Sequence, residues 1–122
     1  MVQASIAAVH TEAATAERTD WRQISELYRL LMSLTPSPIV ELNLAVAVAM
    51  CDGPEAGITR IDGILEGGEL ANYYLAHSAR AELCRRAGRI EEARISYLRA
   101  LDRSQQEPER RFLMRRLEQL NT

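Results

Sequence analysis

Hydrophobic positions recur at helical spacing along most of this chain, and proline and glycine interrupt them at intervals. The clearest stretch is Gly88-Arg89-Ile90-Glu91-Glu92-Ala93-Arg94-Ile95-Ser96-Tyr97-Leu98-Arg99-Ala100-Leu101. With 3.6 residues per turn, Ile90, Ala93, Tyr97, Ala100 and Leu101 fall on one stripe. Gly88 stands just before the stripe, where a tight turn is needed. Small residues at 93 and 100, with an aromatic between them, let a second helix lie very close. Upstream, residues 3–17 are alanine-rich and predict a first helix with Ile6, Val9 and Ala13 buried. Thr19 or Asp20 can cap a second helix, and Asp20 with Gln23 fits a capping box. That helix runs to about Leu34, with Trp21, Ile24, Leu27, Tyr28 and Leu31 inward.

Thr35-Pro36-Ser37-Pro38 is the strongest punctuation. Pro36 disfavours helix at the residue before it, Ser37 is a good N-cap, and Pro38 fits a first helical turn, where no N–H is needed. A third helix covers about 38–51. Its run from Leu42 to Ala49 is apolar on nearly every face, and its alternation also suits a strand. The alanines, the Ser-Pro start and the helical neighbours favour helix, and an all-round apolar helix belongs at the centre. Asp52-Gly53-Pro54 starts a fourth helix over about 54–66, and Gly67-Gly68 break it. A fifth runs from about Glu69 to Ala87, and a sixth to about Ser104. Pro108 starts a seventh, with Phe112, Leu113, Leu117 and Leu120 inward and Arg110, Arg111, Arg115 and Glu118 outward. The expected fold is all-α: one domain over residues 1–122, three helical hairpins plus a C-terminal capping helix, and no sheet.

The spacing in the third hairpin is that of the second helix of a tetratricopeptide-type (TPR) pair, whose units stack in a right-handed sense. The repeat is irregular. Ile24, Tyr28, Leu31 and Pro36 keep the spacing with larger residues, Ala56 and Gly63 echo the small positions in the middle hairpin, and Ala81 stands where glycine is usual.

Composition sharpens this picture more than it changes it. A chain of 122 residues suits one domain with a modest core, and 47 % of its residues are hydrophobic. No apolar run approaches membrane-spanning length, and the N-terminus lacks the basic segment and apolar h-region of a signal peptide. Cys51 and Cys84 have no CxxC context and read as two reduced, buried thiols in a cytoplasmic protein. All fifteen basic residues are arginine. Residues 1–72 hold ten acids and four arginines (−6), and residues 73–122 hold seven acids and eleven arginines (+4), summing to −2. Such a charge dipole can orient a domain against a charged partner.

Catalytic chemistry has no footing in the sequence: nucleophile elbow, phosphate loop and HExxH are all absent. An enzyme, a cofactor and a metal site are therefore not expected. His10 and Glu12, two apart on a helix, point to different faces and cannot chelate one metal together. Arg80, Arg85, Arg86 and Arg89 have no interleaved aromatic platform, which argues against nucleic-acid binding. The remaining candidates are partner contacts: His10, Glu12, Asp20, Trp21, Asn43, His77 and Arg80. Asn43 must find a partner for its amide in the most apolar helix, whether a neighbouring helix or a ligand in a groove. His10, Glu12, Asn43, His77 and Arg80 sit on the first helices of their pairs, which line the concave side of a helical stack.

Several segments together resemble a known family. They are Ile6-Ala7-Ala8-Val9-His10, Thr19-Asp20-Trp21, Pro36-Ser37-Pro38, Leu42-Asn43 with Ala45-Val46-Ala47-Val48, Gly53-Pro54, His77 with Ala79-Arg80-Ala81, Gly88-Arg89, and Glu109-Arg110 with Phe112-Leu113. This order resembles the C-terminal TPR-like extension of bacterial extracytoplasmic-function RNA polymerase sigma factors. Leu44 stands where the family often carries arginine, and Tyr74 where histidine is common. The resemblance implies a regulatory, protein-interaction domain acting on the sigma DNA-binding domains in cis or on core RNA polymerase. Promoter DNA would be read only by the upstream sigma domains, which this chain does not include. A free-standing TPR-like adaptor and a small-molecule sensor are the rival readings.

Overall fold

The structure is a computed structural model and describes residues 20–121. The described residues hold six helices and no strand. They are α1 (Trp21–Leu34), α2 (Pro38–Asp52), α3 (Pro54–Glu66), α4 (Tyr74–Arg86), α5 (Ile90–Arg103) and α6 (Glu107–Leu120). The protein is thus all-α, as the hydrophobic spacing predicts. The helix expected over 3–17 lies outside the described residues.

Local chemistry sets most boundaries. Asp20 caps α1, its Oδ1 accepting from the Gln23 N–H at 3.1 Å. Ser37 caps α2, its Oγ accepting from the N–H groups of Ile39 and Val40 at 3.2 and 3.5 Å. Pro38 then occupies the first turn. Gly53 joins α2 to α3 with φ of 102°, a conformation open to glycine and costly for other residues. The stretch 42–50, which also alternates like a strand, is helical throughout.

The start of α4 departs from expectation. The helix begins at Tyr74, not near Glu69. Residues 69–73 instead form turns in which Ala71 and Tyr73 donate to the carbonyls of Gly68 and Leu70. Two tertiary interactions hold them there. Leu70 is buried in the core, and the Ala71 carbonyl lies 2.7 Å from both His77 Nε2 and Arg103 Nε.

Each helix packs on its neighbours in sequence, and α2 also touches α4. Helix starts recur at a fixed interval: α2 and α4 begin at 38 and 74, α3 and α5 at 54 and 90, both 36 residues apart. Burial follows the same interval. Ala45 and Ala81 are fully buried, as are Ile61 and Tyr97. Gly57 and Ala93, also 36 apart, are both buried. The small residue that matters in the middle pair is therefore Gly57 and not Gly63. A Cβ on Gly57 would lie 2.5 Å from Ala49 Cβ and 2.9 Å from the Ala45 carbonyl oxygen, whereas Gly63 is exposed with open space around it. The all-round apolar α2 is central as expected, with Ala45 and Ala47 excluded from solvent.

Two apolar clusters form. The larger joins α2 to α6 through Leu42, Ala45, Ile58, Ile61, Leu83, Tyr97 and Leu113. The smaller joins α1 to α2 through Ile24, Tyr28, Val40, Leu44, Ala47 and Val48, with Trp21, Leu31 and Ala56 packed against it. Leu27, Ile90 and Phe112, all expected inward, are each more than a third exposed. Phe112 instead lies beneath the Arg116 guanidinium, 5.1 Å from its ring centroid. Arg110, expected outward, turns in and donates to the carbonyls of Leu101 and Ser104 at the C-terminal end of α5, the first of which also accepts the Ser104 N–H. Cys84 is buried, and burial pushes its thiol pKa up; Cys51 is only half-buried.

Candidate interaction groove

Between α3 and α5 runs an open groove of about 400 Å³, with α4 beneath one end. Its geometry follows from helical spacing. Asp62 and Glu66 are four apart on α3; Glu92, Ile95 and Arg99 are three and seven apart on α5, so each set shares one face. Arg80 of α4 reaches up between them.

Arg80 closes that end of the groove with all three guanidinium nitrogens. Nε donates to Asp62 Oδ1 at 2.6 Å, Nη1 to Ser96 Oγ at 2.9 Å and Nη2 to Glu92 Oε1 at 3.2 Å. Its side chain is 13 % exposed, against 41 % for Asp62 and 42 % for Glu92, so the cation is desolvated while its carboxylates still meet water. The hydrogen bond to Asp62, ahead of the cost of burial, raises the Arg80 pKa and keeps it charged. Glu92 is shared with Arg89, which also reaches Glu55 at the start of α3 at 2.7 Å. The Arg89 hydrogen bond, followed by that from Arg80, holds the Glu92 carboxyl below its usual range.

A second ionic cluster sits at the far side of α4. Arg116 of α6 grips both oxygens of Glu82, at 3.0 and 3.1 Å, in the bidentate geometry that suits arginine. The Tyr97 hydroxyl donates to the same carboxylate, and Arg85 joins it at 3.4 Å. Burial pushes the Glu82 carboxyl up, but the Tyr97 and Arg116 hydrogen bonds outweigh it and hold the pKa below 4.5. Burial and the Glu82 contact push the Tyr97 hydroxyl upward. This cluster fastens the last helix to α4.

The partner-contact candidates scatter. His10 and Glu12 lie outside the described residues. Asp20 is the α1 cap, and Trp21 is half-buried against the smaller apolar cluster. Asn43 is half-buried on α2, and its amide has no hydrogen-bond partner among the described residues. His77 is buried at the start of α4; burial lowers its pKa, and Arg103, Arg99 and Arg80 add to that effect. The neutral ring donates from Nε2 to the Ala71 carbonyl, while Nδ1 is buried without a partner among the described residues. Of the five candidates among the described residues, Arg80 alone lines the groove. Nothing in the sequence marks its companions Asp62, Glu92 and Ser96, and each lies 12 or more residues away along the chain. Among the described residues no cluster of three or more His, Cys, Asp or Glu side chains is arranged to hold a metal, and no helix is long and apolar enough to cross a membrane.

No family model matches the chain. No solved structure matches it. The chain is similar to a protein of Rhizobium meliloti (strain 1021) described as uncharacterized, at 39 % identity over 119 residues. That match covers 98 % of this chain and 28 % of the relative, so the chain spans little more than a quarter of the relative's length.

Proposed function

We propose that this chain is the C-terminal regulatory domain of an extracytoplasmic-function RNA polymerase sigma factor. In this reading it works in the cytoplasm through protein contacts. Its partners are the sigma DNA-binding domains in cis, core RNA polymerase, or both, and promoter DNA is touched only by the upstream domains. It has no chemistry, metal or cofactor of its own. The helices form a TPR-like stack whose surfaces serve as docking faces.

The observation that carries this reading is the match of nearly the whole chain to about a quarter of a longer protein. A unit found as one part of something larger suits a module acting on its neighbours better than it suits a free-standing adaptor. The ordered segments from Thr19-Asp20-Trp21 to Phe112-Leu113, with their likeness to the sigma-factor extension, supply the identity of those neighbours. The groove between α3 and α5 supports the choice of protein contacts: it is open, and it carries charges of both signs beside aliphatic walls.

The test is transcription by the parent factor with core polymerase, with and without this domain. Deleting it is expected to change promoter-dependent initiation or its regulation by tenfold or more. Unchanged initiation and regulation would overturn the reading and favour an adaptor or a small-molecule sensor.

A further inference from the structure

The ionic pairing that closes the groove at Arg80 stops part-way along it. Beyond the Asp62–Arg80–Glu92 bridge the floor is aliphatic, formed by Leu65 and by Ile95, which is 45 % exposed. At this open end Glu66 stands on the α3 bank and Arg99 on the α5 bank. Both are exposed, and neither side chain forms an ion pair or hydrogen bond among the described residues. Unpaired charges of opposite sign thus flank an apolar strip. That is the layout a coiled-coil seam presents to its partner, with aliphatic a and d positions between charged e and g positions.

We infer that the open end of the α3–α5 groove is a docking site for an amphipathic helix of a partner protein, one carrying aliphatic residues between an acidic flank and a basic flank. The acidic flank faces Arg99 and the basic flank faces Glu66. Charge complementarity selects this occupant: a helix with both flanks acidic is repelled by Glu66, and one with both flanks basic by Arg99. Leu65 and Ile95 supply the area that excludes water, and the Arg80 bridge sets where the helix must stop. The site deepens the regulatory reading above by naming the chemistry of the partner element, and it rests on that reading only for who the partner is.

The experiment is a titration of the full chain with three two-heptad peptides, leucine at a and d in each. One carries glutamate on one flank and lysine on the other, one glutamate on both, one lysine on both. Binding is followed by NMR shifts of the Leu65 and Ile95 methyls. The mixed peptide is expected to bind the wild-type chain about tenfold more tightly than either uniform one. Glu66→Arg is expected to switch the preference to the all-glutamate peptide, and Arg99→Glu to the all-lysine peptide. Both positions are exposed and outside the ionic clusters, and an unchanged melting temperature confirms that the variants fold. Equal binding of the three peptides, no shift at Leu65 and Ile95, or no switch in the variants would overturn the site. Equally strong saturating shifts with free arginine and glutamate would also overturn it, in favour of a small-ligand pocket. Failure here with transcription still dependent on the domain removes the groove and keeps the regulatory reading; the reverse pair of results removes the regulatory reading alone.

Discussion

The two helix pairs α2–α3 and α4–α5 share a 36-residue register but lock to the preceding helices by different means. Leu44 on α2 and Arg80 on α4 are equivalent positions, as are Ala56 on α3 and Glu92 on α5. In the first pair Leu44 is buried with Tyr28, Val40 and Val48, and Ala56 packs against that cluster. In the second pair the same two positions hold an arginine and a glutamate bonded to each other at 3.2 Å, with Asp62 as a third member. One seam is dry and the other ionic on the same backbone plan. A partly solvated ion pair offers little net stability over a well-packed apolar contact. What the ionic seam provides instead is geometry: α3 and α5 stand apart around the Arg80 guanidinium, and a groove is left between them.

The comparison breaks most severely at Leu44. Leu44→Arg puts into the dry seam the residue that the ionic seam carries, with Ala56 in place of the Glu92 that receives it there. A loss of about 4 kcal/mol is expected by urea unfolding, because an unpaired buried charge is among the costliest single changes. Adding Ala56→Glu is expected to recover about 1 kcal/mol or more by supplying the missing partner.

Next in size is Gly57→Ala. The equivalent Ala93 is buried with its methyl in place, so the two pairs differ here by one carbon. With Ala49 Cβ 2.5 Å and the Ala45 carbonyl oxygen 2.9 Å from the new atom, α2 must move. Overpacking of this kind costs about 1–3 kcal/mol, and the upper part of that range is expected as a lowered melting temperature.

Arg80→Leu converts the ionic seam halfway and is expected to cost about 2 kcal/mol. That is below the 3–5 kcal/mol range for a broken buried pair, because Asp62 and Glu92 are exposed enough to regain water. Arg80→Leu with Glu92→Ala completes the conversion and is expected to return to within about 1 kcal/mol of wild type. If the double variant is no more stable than the single one, the two seams are not interchangeable.

The smallest effects come from pH, and they belong to the ionic side. The folded-state pKa of Glu82 lies below 4.5, so its contribution is complete above the unfolded value and is lost as pH falls through the folded one. His77 works in the same direction by the opposite chemistry. Its folded pKa lies below 6.5, so the unfolded chain binds the extra proton first, and stability falls as pH drops below about 6.5. Melting temperature is expected to decline from pH 7 to 5.5, and His77→Gln, which can still donate to the Ala71 carbonyl, is expected to flatten that slope.

Local signals made the helices legible, and distant partners hid the rest. Asp20, Ser37, Gly53 and Pro54 act within a turn of themselves, and the boundaries they predict fall within a residue or two of those observed. The start of α4 is not legible because Leu70 and Ala71 are held by groups on other elements, Arg103 being 32 residues away. Arg80 reads in the sequence as a contact for a partner, yet its guanidinium is engaged inside the chain, by Asp62 at a separation of 18 and Glu92 at 12. Nothing in the sequence near either acid marks it. Leu27 and Phe112 keep the right spacing but sit at the edges of their stripes, where periodicity alone does not separate a buried residue from one at the rim.

The 36-residue register also governs how this molecule can change in length. A tandem copy of residues 37–72, inserted after residue 72, would deliver the chain to α4 in its original phase, and each new helix would meet neighbours of a kind already present. Growth by any other increment would turn the apolar stripes away from their partners. The inserted leucine at the Leu44 position would face the first Asp62 and leave that carboxylate without its arginine, while Arg80 and Glu92 would meet the copied Asp62, so the groove would move one unit along. Duplications that respect this quantum keep the helices in phase while relocating the groove.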